Sequence, residues 1–100
     1  MTRAVGNSYV VECFWSGVRD EDLRELDRRI EDSVADFAKQ GQPVEYLGSM
    51  LVVDDDVVLC LFEGPLATVR QVTERAGIAF ERILQSTRAP WTARSRPTGE

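Results

Sequence analysis

The most informative absence in this chain is histidine, which occurs at none of its 100 positions. Histidine is the commonest general base and metal ligand, and it is the usual proximal ligand of haem iron. A nucleophile activated by a Ser–His or Cys–His pair is therefore excluded. Lysine occurs once, at Lys39, and the remaining basic residues are all arginine. This bias indicates a GC-rich, bacterial genome.

Cysteine and long apolar runs are also scarce. Cys13 and Cys60 are the two cysteines, and both lie inside apolar, strand-like runs. That position is typical of buried free thiols rather than of a disulfide framework or a metal site. Apolar stretches fall short of the ~20 residues of a membrane span, and the N-terminus lacks the apolar run of a signal peptide. We therefore expect a cytoplasmic protein with no membrane partner.

Charge is unevenly distributed along the chain. The formal net charge is −5, but the last thirteen residues carry +2, so residues 1–87 carry −7. An acidic body repels phosphate backbones, which argues against a nucleic-acid partner. Apolar residues make up 43% of the chain, which is enough for one core. We predict one domain over residues 1–87 and a flexible polar tail over residues 88–100.

The secondary-structure signals follow the order β-α-β-β-α-β. Strands are predicted over residues 8–15, 44–53, 57–63 and 81–87, with a bulge at Gly48 and a polar turn at 54–56. Helices are predicted from about residue 19 to 40 and from Pro65 to Gly77. The buried stripe of the first helix is Leu23, Leu26, Ile30, Val34 and Phe37, and that of the second is Leu66, Val69, Val72 and Ala76. On the first helix, Glu25 and Arg29 are spaced to form an ion pair, as are Arg28 and Asp32.

This order predicts a ferredoxin-like α+β sandwich, in which two helices cover one face of a four-stranded antiparallel sheet. Both faces of the strands are apolar. In the first predicted strand, one face carries Val10 and Phe14 and the other carries Tyr9, Val11, Cys13 and Trp15. In the second, one face carries Leu47, Leu51 and Val53 and the other carries Tyr46, Met50 and Val52. In the third, one face carries Val58, Cys60 and Phe62 and the other carries Val57, Leu59 and Leu61. Because helices cover only one face, we predict a homodimer through the open sheet face, with a shared barrel-like core. A long loop or the tail with Trp91 folding over that face is the alternative.

Several segments together resemble a known family. They are Tyr9-Val10-Val11-Glu12, Asp20-Glu21-Asp22-Leu23, residues 44–49, residues 60–65 and Glu74-Arg75-Ala76-Gly77-Ile78. The chain is similar to the small ferredoxin-like proteins catalogued as a domain of unknown function, which include an actinobacterial nickel-binding branch. The resemblance implies a ferredoxin-like dimer with a metal or small-ligand site. The nickel-binding relatives use histidines, and Gly48 stands at one such position, so nickel ligands do not carry over. Glu63 matches the acidic residue that ends the third strand in the family.

Candidate site residues are few. Tyr9, Trp15, Tyr46 and Ser49 are candidates to line a ligand cavity between the sheet and the helices, although aromatic residues also form ordinary cores. Glu63 is a candidate general base if the strand end opens into a pocket; otherwise it is a solvated strand end. Glu12 is expected to pair with Arg82 on the neighbouring strand.

Three functions remain open. The favoured hypothesis is a non-catalytic dimeric module that binds a small ligand or a protein partner. The second is a small cofactor-free enzyme resembling the dimeric ferredoxin-like monooxygenases, with Glu63 or a tyrosine as the polar group. The third is a metal-handling protein, against which the missing histidines weigh. We assign no catalytic residue, no metal ligand and no cofactor from the sequence.

Overall fold

The computed structural model describes residues 7–87, and the structural statements below concern these residues. The elements are β1 (Ser8–Phe14), α1 (Asp20–Lys39), β2 (Glu45–Val52), a 3-10 turn (Val53–Asp55), β3 (Val57–Glu63), α2 (Leu66–Arg75) and β4 (Arg82–Ser86). The strands form one antiparallel sheet in the order β2-β3-β1-β4, and both helices pack on one face of it. This is the predicted ferredoxin-like α+β sandwich. The predicted tail, including Trp91, lies outside the described residues.

Local sequence signals set the ends of α1. Acidic residues occupy its first turn, where they interact favourably with the helix dipole, and Asp22 Oδ2 accepts the Arg19 backbone N–H at 2.9 Å. After the last turn, Gly41 adopts a φ of +79° and its N–H donates to the Ala38 carbonyl at 3.0 Å. A left-handed glycine just past a helix is the usual way to end one, so α1 stops where the sequence predicts.

The core lies between the sheet and the two helices. Its buried members include Val11, Cys60 and Phe62 from the strands and Leu26, Ile30, Val69 and Val72 from the helices. Ser33 is also buried, and its hydroxyl donates to the Val72 carbonyl at 3.1 Å, which ties α1 to α2. The predicted stripe of α1 is confirmed.

The predicted stripe of α2 is wrong at Leu66, which is 40% exposed. The buried side of α2 centres on Val69, Val72 and Ala76 and includes Thr68 and Thr73. At 3.6 residues per turn, Leu66 lies roughly 90° from the centre of that side. A spacing of three therefore places it at the margin of the stripe rather than inside it.

The bulge predicted at Gly48 is present and changes which residues of β2 share a face. The register of β2 with β3 shifts between Tyr46 and Gly48. An extra residue in one strand reverses the alternation beyond it. Tyr46 therefore shares the helix-covered face with Ser49 and Leu51, and the prediction that it shares a face with Met50 is wrong.

The second face of the sheet, here called the open face, is mainly apolar, and the Glu12–Arg82 ion pair also lies on it. The pairings place on it Val10, Phe14, Met50, Val52, Val57, Leu59, Leu61 and Leu84. Phe14, Met50 and Leu84 are 60%, 55% and 38% exposed. Both helices pack on the opposite face, so the open face carries no helix within residues 7–87. Neither of these helices is long and apolar enough to span a membrane.

Candidate functional site

A cavity of about 240 Å³ opens at one end of the sandwich, where β1 ends. Its walls are residues 13–15, Leu26 and Arg29 of α1, and residues 77–79 in the connection from α2 to β4. The lining is mainly apolar and includes the indole of Trp15 and one cationic group, the Arg29 guanidinium. An apolar hollow with few polar groups is the usual form of a small-ligand site.

The connection from α2 to β4 forms one wall of this cavity, and its backbone is fixed at both ends. Gly77 adopts a φ of +76°, which turns the chain out of the helix, and the Ile78 N–H donates to the Thr73 carbonyl at 3.1 Å. The Glu81 N–H then donates to the Glu12 carbonyl at 2.7 Å, which starts the pairing of β4 with β1. Ile78 and Phe80, which lie between these points, pack against the core.

Arg29 is the unusual residue of the cavity. Its Nε is buried and has no hydrogen-bond partner within the described part of the chain. A buried donor that is left unpaired costs about 1–3 kcal/mol, and more when the group is charged. The sequence predicts a pair with Glu25, but Glu25 instead binds Arg28, at 2.7 Å. A second hollow of about 160 Å³ borders Arg29 on the side of Asp32 and Asp36.

The acidic residues near Arg29 on α1 are already engaged. Arg28 contacts both Glu25 and Asp32, the latter at 3.1 Å, so the predicted Arg28–Asp32 pair is confirmed. Asp36 pairs with Arg75 of α2, also at 3.1 Å. Within residues 7–87, Arg28 and Arg75 thus pair with acidic side chains, while the Nε of Arg29 has no hydrogen-bond partner.

The structure does not gather the five predicted ligand residues into one site. Trp15 lines the cavity. Tyr9 is 8% exposed and belongs to the core, opposite Phe62. Glu63 lies at the other end of β1 from the cavity, opposite Ser8, whose hydroxyl lies 3.5 Å from Glu63 Oε2. The remaining two, Tyr46 and Ser49, belong to a separate cluster.

This cluster is centred on Asp27 of α1. The Tyr46 hydroxyl donates to Asp27 Oδ1 at 2.5 Å, and the Ser49 hydroxyl donates to the same oxygen at 2.9 Å. The Tyr46 ring packs 5.0 Å from the ring of Phe62. Burial raises the pKa of Tyr46, and the negative charge of Asp27 adds to this effect, so the phenol stays protonated as a donor. The cluster pins α1 to β2.

The remaining polar predictions concern Glu12 and the cysteines. Arg82 Nε donates to Glu12 Oε1 at 2.5 Å, so the predicted cross-strand pair is confirmed. Cys13 and Cys60 are free and buried, as predicted. The hydrogen bond with Cys13, together with burial, raises the pKa of Cys60, which keeps this thiol protonated and unreactive. Residues 7–87 contain no group of three or more metal-ligating side chains of the His, Cys, Asp or Glu type.

The fold has a counterpart among solved structures. The crystal structure of SCO4226 from Streptomyces coelicolor A3(2) matches 83% of this chain and 99% of its own, with a TM-score of 0.66. The two sequences are 19% identical, so the match supports the α+β fold and carries no information about ligands. No family model and no curated protein matches the chain.

Asp27 and Arg29 are not among the candidate site residues predicted from the sequence. Both flank the buried stripe of α1, next to Leu26 and Ile30. Position beside a stripe is a weak signal, because most charged residues there extend into solvent. Asp27 is distinguished by its hydrogen bonds from β2, and Arg29 by lining a cavity together with residues 77–79, and both sets of residues are distant in sequence.

Proposed function

We propose that this chain is a non-catalytic binding module that acts as a homodimer, with the two open faces packed against each other. The supporting observation is the exposure of Phe14, Met50 and Leu84 on a face that carries apolar side chains from all four strands beside the Glu12–Arg82 pair. Monomers rarely leave a contiguous apolar patch larger than a few hundred Å² in water. A second copy supplies a surface of matching shape and polarity.

The size of the open face suits a dimer. Four strands ~4.8 Å apart, each about seven residues long at ~3.4 Å per residue, cover on the order of 450 Å² in projection. At ~25 cal/mol per Å², even 450 Å² per subunit is worth about 11 kcal/mol before association costs.

The cavity at Arg29 supports the binding half of this proposal. Most of its lining, including Leu26, Arg29 and residues 77–79, lies on the helix side of the sheet, and Phe14 of the open face borders it. Its lining contains no carboxylate, and Glu63 lies at the opposite end of β1. The alternative of a cofactor-free enzyme requires an acidic group directed into the cavity. The metal-handling alternative requires a cluster of ligands, and residues 7–87 bring no three His, Cys, Asp or Glu side chains together for one. The buried free thiols suit the reducing cytoplasm, where we place the protein.

A matched pair of leucine substitutions tests the dimer. Leu84 on the open face and Leu66 at the start of α2 are 38% and 40% exposed. Burying the exposed part of Leu84 is worth about 1 kcal/mol per subunit, and a carboxylate buried in its place costs several kcal/mol. Leu84→Glu should therefore raise the dissociation constant of the dimer at least about a thousandfold. Leu66→Glu should leave it unchanged.

Sedimentation equilibrium of the wild type and of both variants gives the result directly. The proposal expects a dimer for the wild type and for Leu66→Glu, and a monomer for Leu84→Glu at micromolar concentration. Circular dichroism checks that both variants are folded. A wild type that sediments as a single chain, or a Leu84→Glu variant as dimeric as Leu66→Glu, would contradict the proposed interface.

A further inference from the structure

We infer that the cavity at the end of β1 binds a small organic monocarboxylate, with the carboxylate on Arg29 and an apolar body against Trp15. This inference deepens the ligand-binding half of the proposed function and rests on it. The juxtaposition that carries it is an arginine in the lining of an otherwise apolar cavity, whose Nε is buried and has no hydrogen-bond partner within residues 7–87.

The charge argument starts from the cost of the unpaired group. A buried guanidinium N–H without a partner is unfavourable, and the acidic residues beside it are bound to Arg28 and Arg75. The two terminal N–H groups of arginine form a fork that matches the two oxygens of a carboxylate. A ligand carboxylate on the terminal N–H groups of Arg29 would place a negative charge beside the Nε–H that residues 7–87 leave without a hydrogen-bond partner.

The other donors of the cavity limit the ligand to one negative charge. The backbone N–H groups of Trp15, Gly77 and Ile78 already donate to carbonyls within the protein. Arg29 is also the sole basic side chain of the lining. A doubly charged phosphate would bury one charge without a partner, which is strongly unfavourable. A monocarboxylate leaves no charge uncompensated.

The volume and lining limit the rest of the ligand. About 240 Å³ corresponds to the liquid volume of about eight waters, or a ligand of on the order of ten non-hydrogen atoms. Trp15, Leu26 and Ile78 offer one aromatic and two aliphatic surfaces to its body. Phenylacetate and hexanoate fit this description, and the corresponding amides have the same shape without the charge.

Titration of the full-length protein with these four compounds, followed by ¹H–¹⁵N NMR, tests the inference. The expected result is saturation by both carboxylates, with shifts concentrated at the Trp15 indole N–H and the amides of residues 77–79. The amide analogues of phenylacetate and hexanoate should bind at least about tenfold more weakly than the carboxylates. Absence of saturation by either carboxylate below about 10 mM would overturn the inference.

Two variants assign the charge to its residue. Arg29→Gln should weaken binding of phenylacetate at least about tenfold, whereas Arg24→Gln, an exposed arginine of α1 outside the cavity, should change it less than about twofold. Should Arg29→Gln fail to fold, Ala79→Leu fills the cavity with the charge intact and should abolish binding.

The outcomes separate this inference from the proposed function. Equal binding of carboxylates and amides at the same residues would refute the charge assignment and leave ligand binding in place. An equal effect of Arg24→Gln and Arg29→Gln would refute the role of Arg29. If none of the four compounds binds, the ligand site is refuted. The dimer is tested separately, by sedimentation.

Discussion

Removing the Asp27 carboxylate should loosen the attachment of α1 to the sheet. Asp27→Ala deletes the acceptor shared by the hydroxyls of Tyr46 and Ser49, at 2.5 and 2.9 Å. Hydrogen bonds to a charged acceptor are worth about 1.5–3 kcal/mol each, and both lie in a half-buried setting that favours the lower end. We expect a loss of about 3 kcal/mol, a large share of the ~5–15 kcal/mol that stabilises a typical domain.

Urea denaturation at one fixed protein concentration measures this loss, since dimerisation makes apparent stability concentration-dependent. Asp32→Ala is the matched control, because Asp32 is an exposed carboxylate of the same helix whose partner is Arg28; it should cost less than about 1 kcal/mol. In a Tyr46→Phe/Ser49→Ala background, Asp27→Ala should cost almost nothing further. Equal losses for Asp27→Ala and Asp32→Ala would refute the idea that this cluster holds α1 to β2.

Two further predictions concern backbone sterics and alkaline pH. Gly64→Ala should destabilise the protein by at least about 2 kcal/mol in urea denaturation, because φ is +146° and the new Cβ would lie 2.7 Å from Val44 Cγ2; Gly41→Ala, at φ +79° in open space, should cost only about 1 kcal/mol. The fold raises the pKa of Cys60 and of Tyr46. Both side chains therefore stay protonated in the folded protein at an alkaline pH at which they ionise in the unfolded chain. The free energy of unfolding should therefore fall above about pH 9, by up to about 1.4 kcal/mol per pH unit for each group, and constant stability from pH 8 to 10.5 would contradict this account.

The fold was predictable because each element carries its own local signal. Three such signals agree with the structure: the helix period of α1, the terminating Gly41, and the alternation of β3 side chains between the two faces of the sheet. Each acts within a few residues. Leu66 shows the limit of such reasoning. Its spacing of three residues from Val69 fits the buried stripe of α2, but its position around the helix axis places it at the margin of that stripe, where it is exposed. β2 shows another limit, because one bulge reverses the side of every residue beyond it.

The candidate site was less predictable because long-range contacts define it. Trp15 lines the cavity, but most of the other lining residues come from the middle of α1 and from residues 77–79. Helix geometry allows Glu25 to pair with Arg29 at i,i+4 or with Arg28 at i,i+3, and the structure adopts the second. Within residues 7–87 the Nε of Arg29 then has no hydrogen-bond partner, and local sequence rules do not determine this choice.

The most direct test of the dimer is a search for contacts between two copies of the chain. A mixed sample of ¹³C-labelled and unlabelled protein, examined by isotope-filtered NOE spectroscopy, reports only methyl contacts across the interface. We predict intermolecular NOEs at Met50, Leu59 and Leu84 of the open face, and none at the core methyls of Val69 and Val72. Intermolecular NOEs confined to the helix surface, or a sample with the 11.2 kDa mass of one chain and no such NOEs, would contradict the claim that a second copy covers the open face.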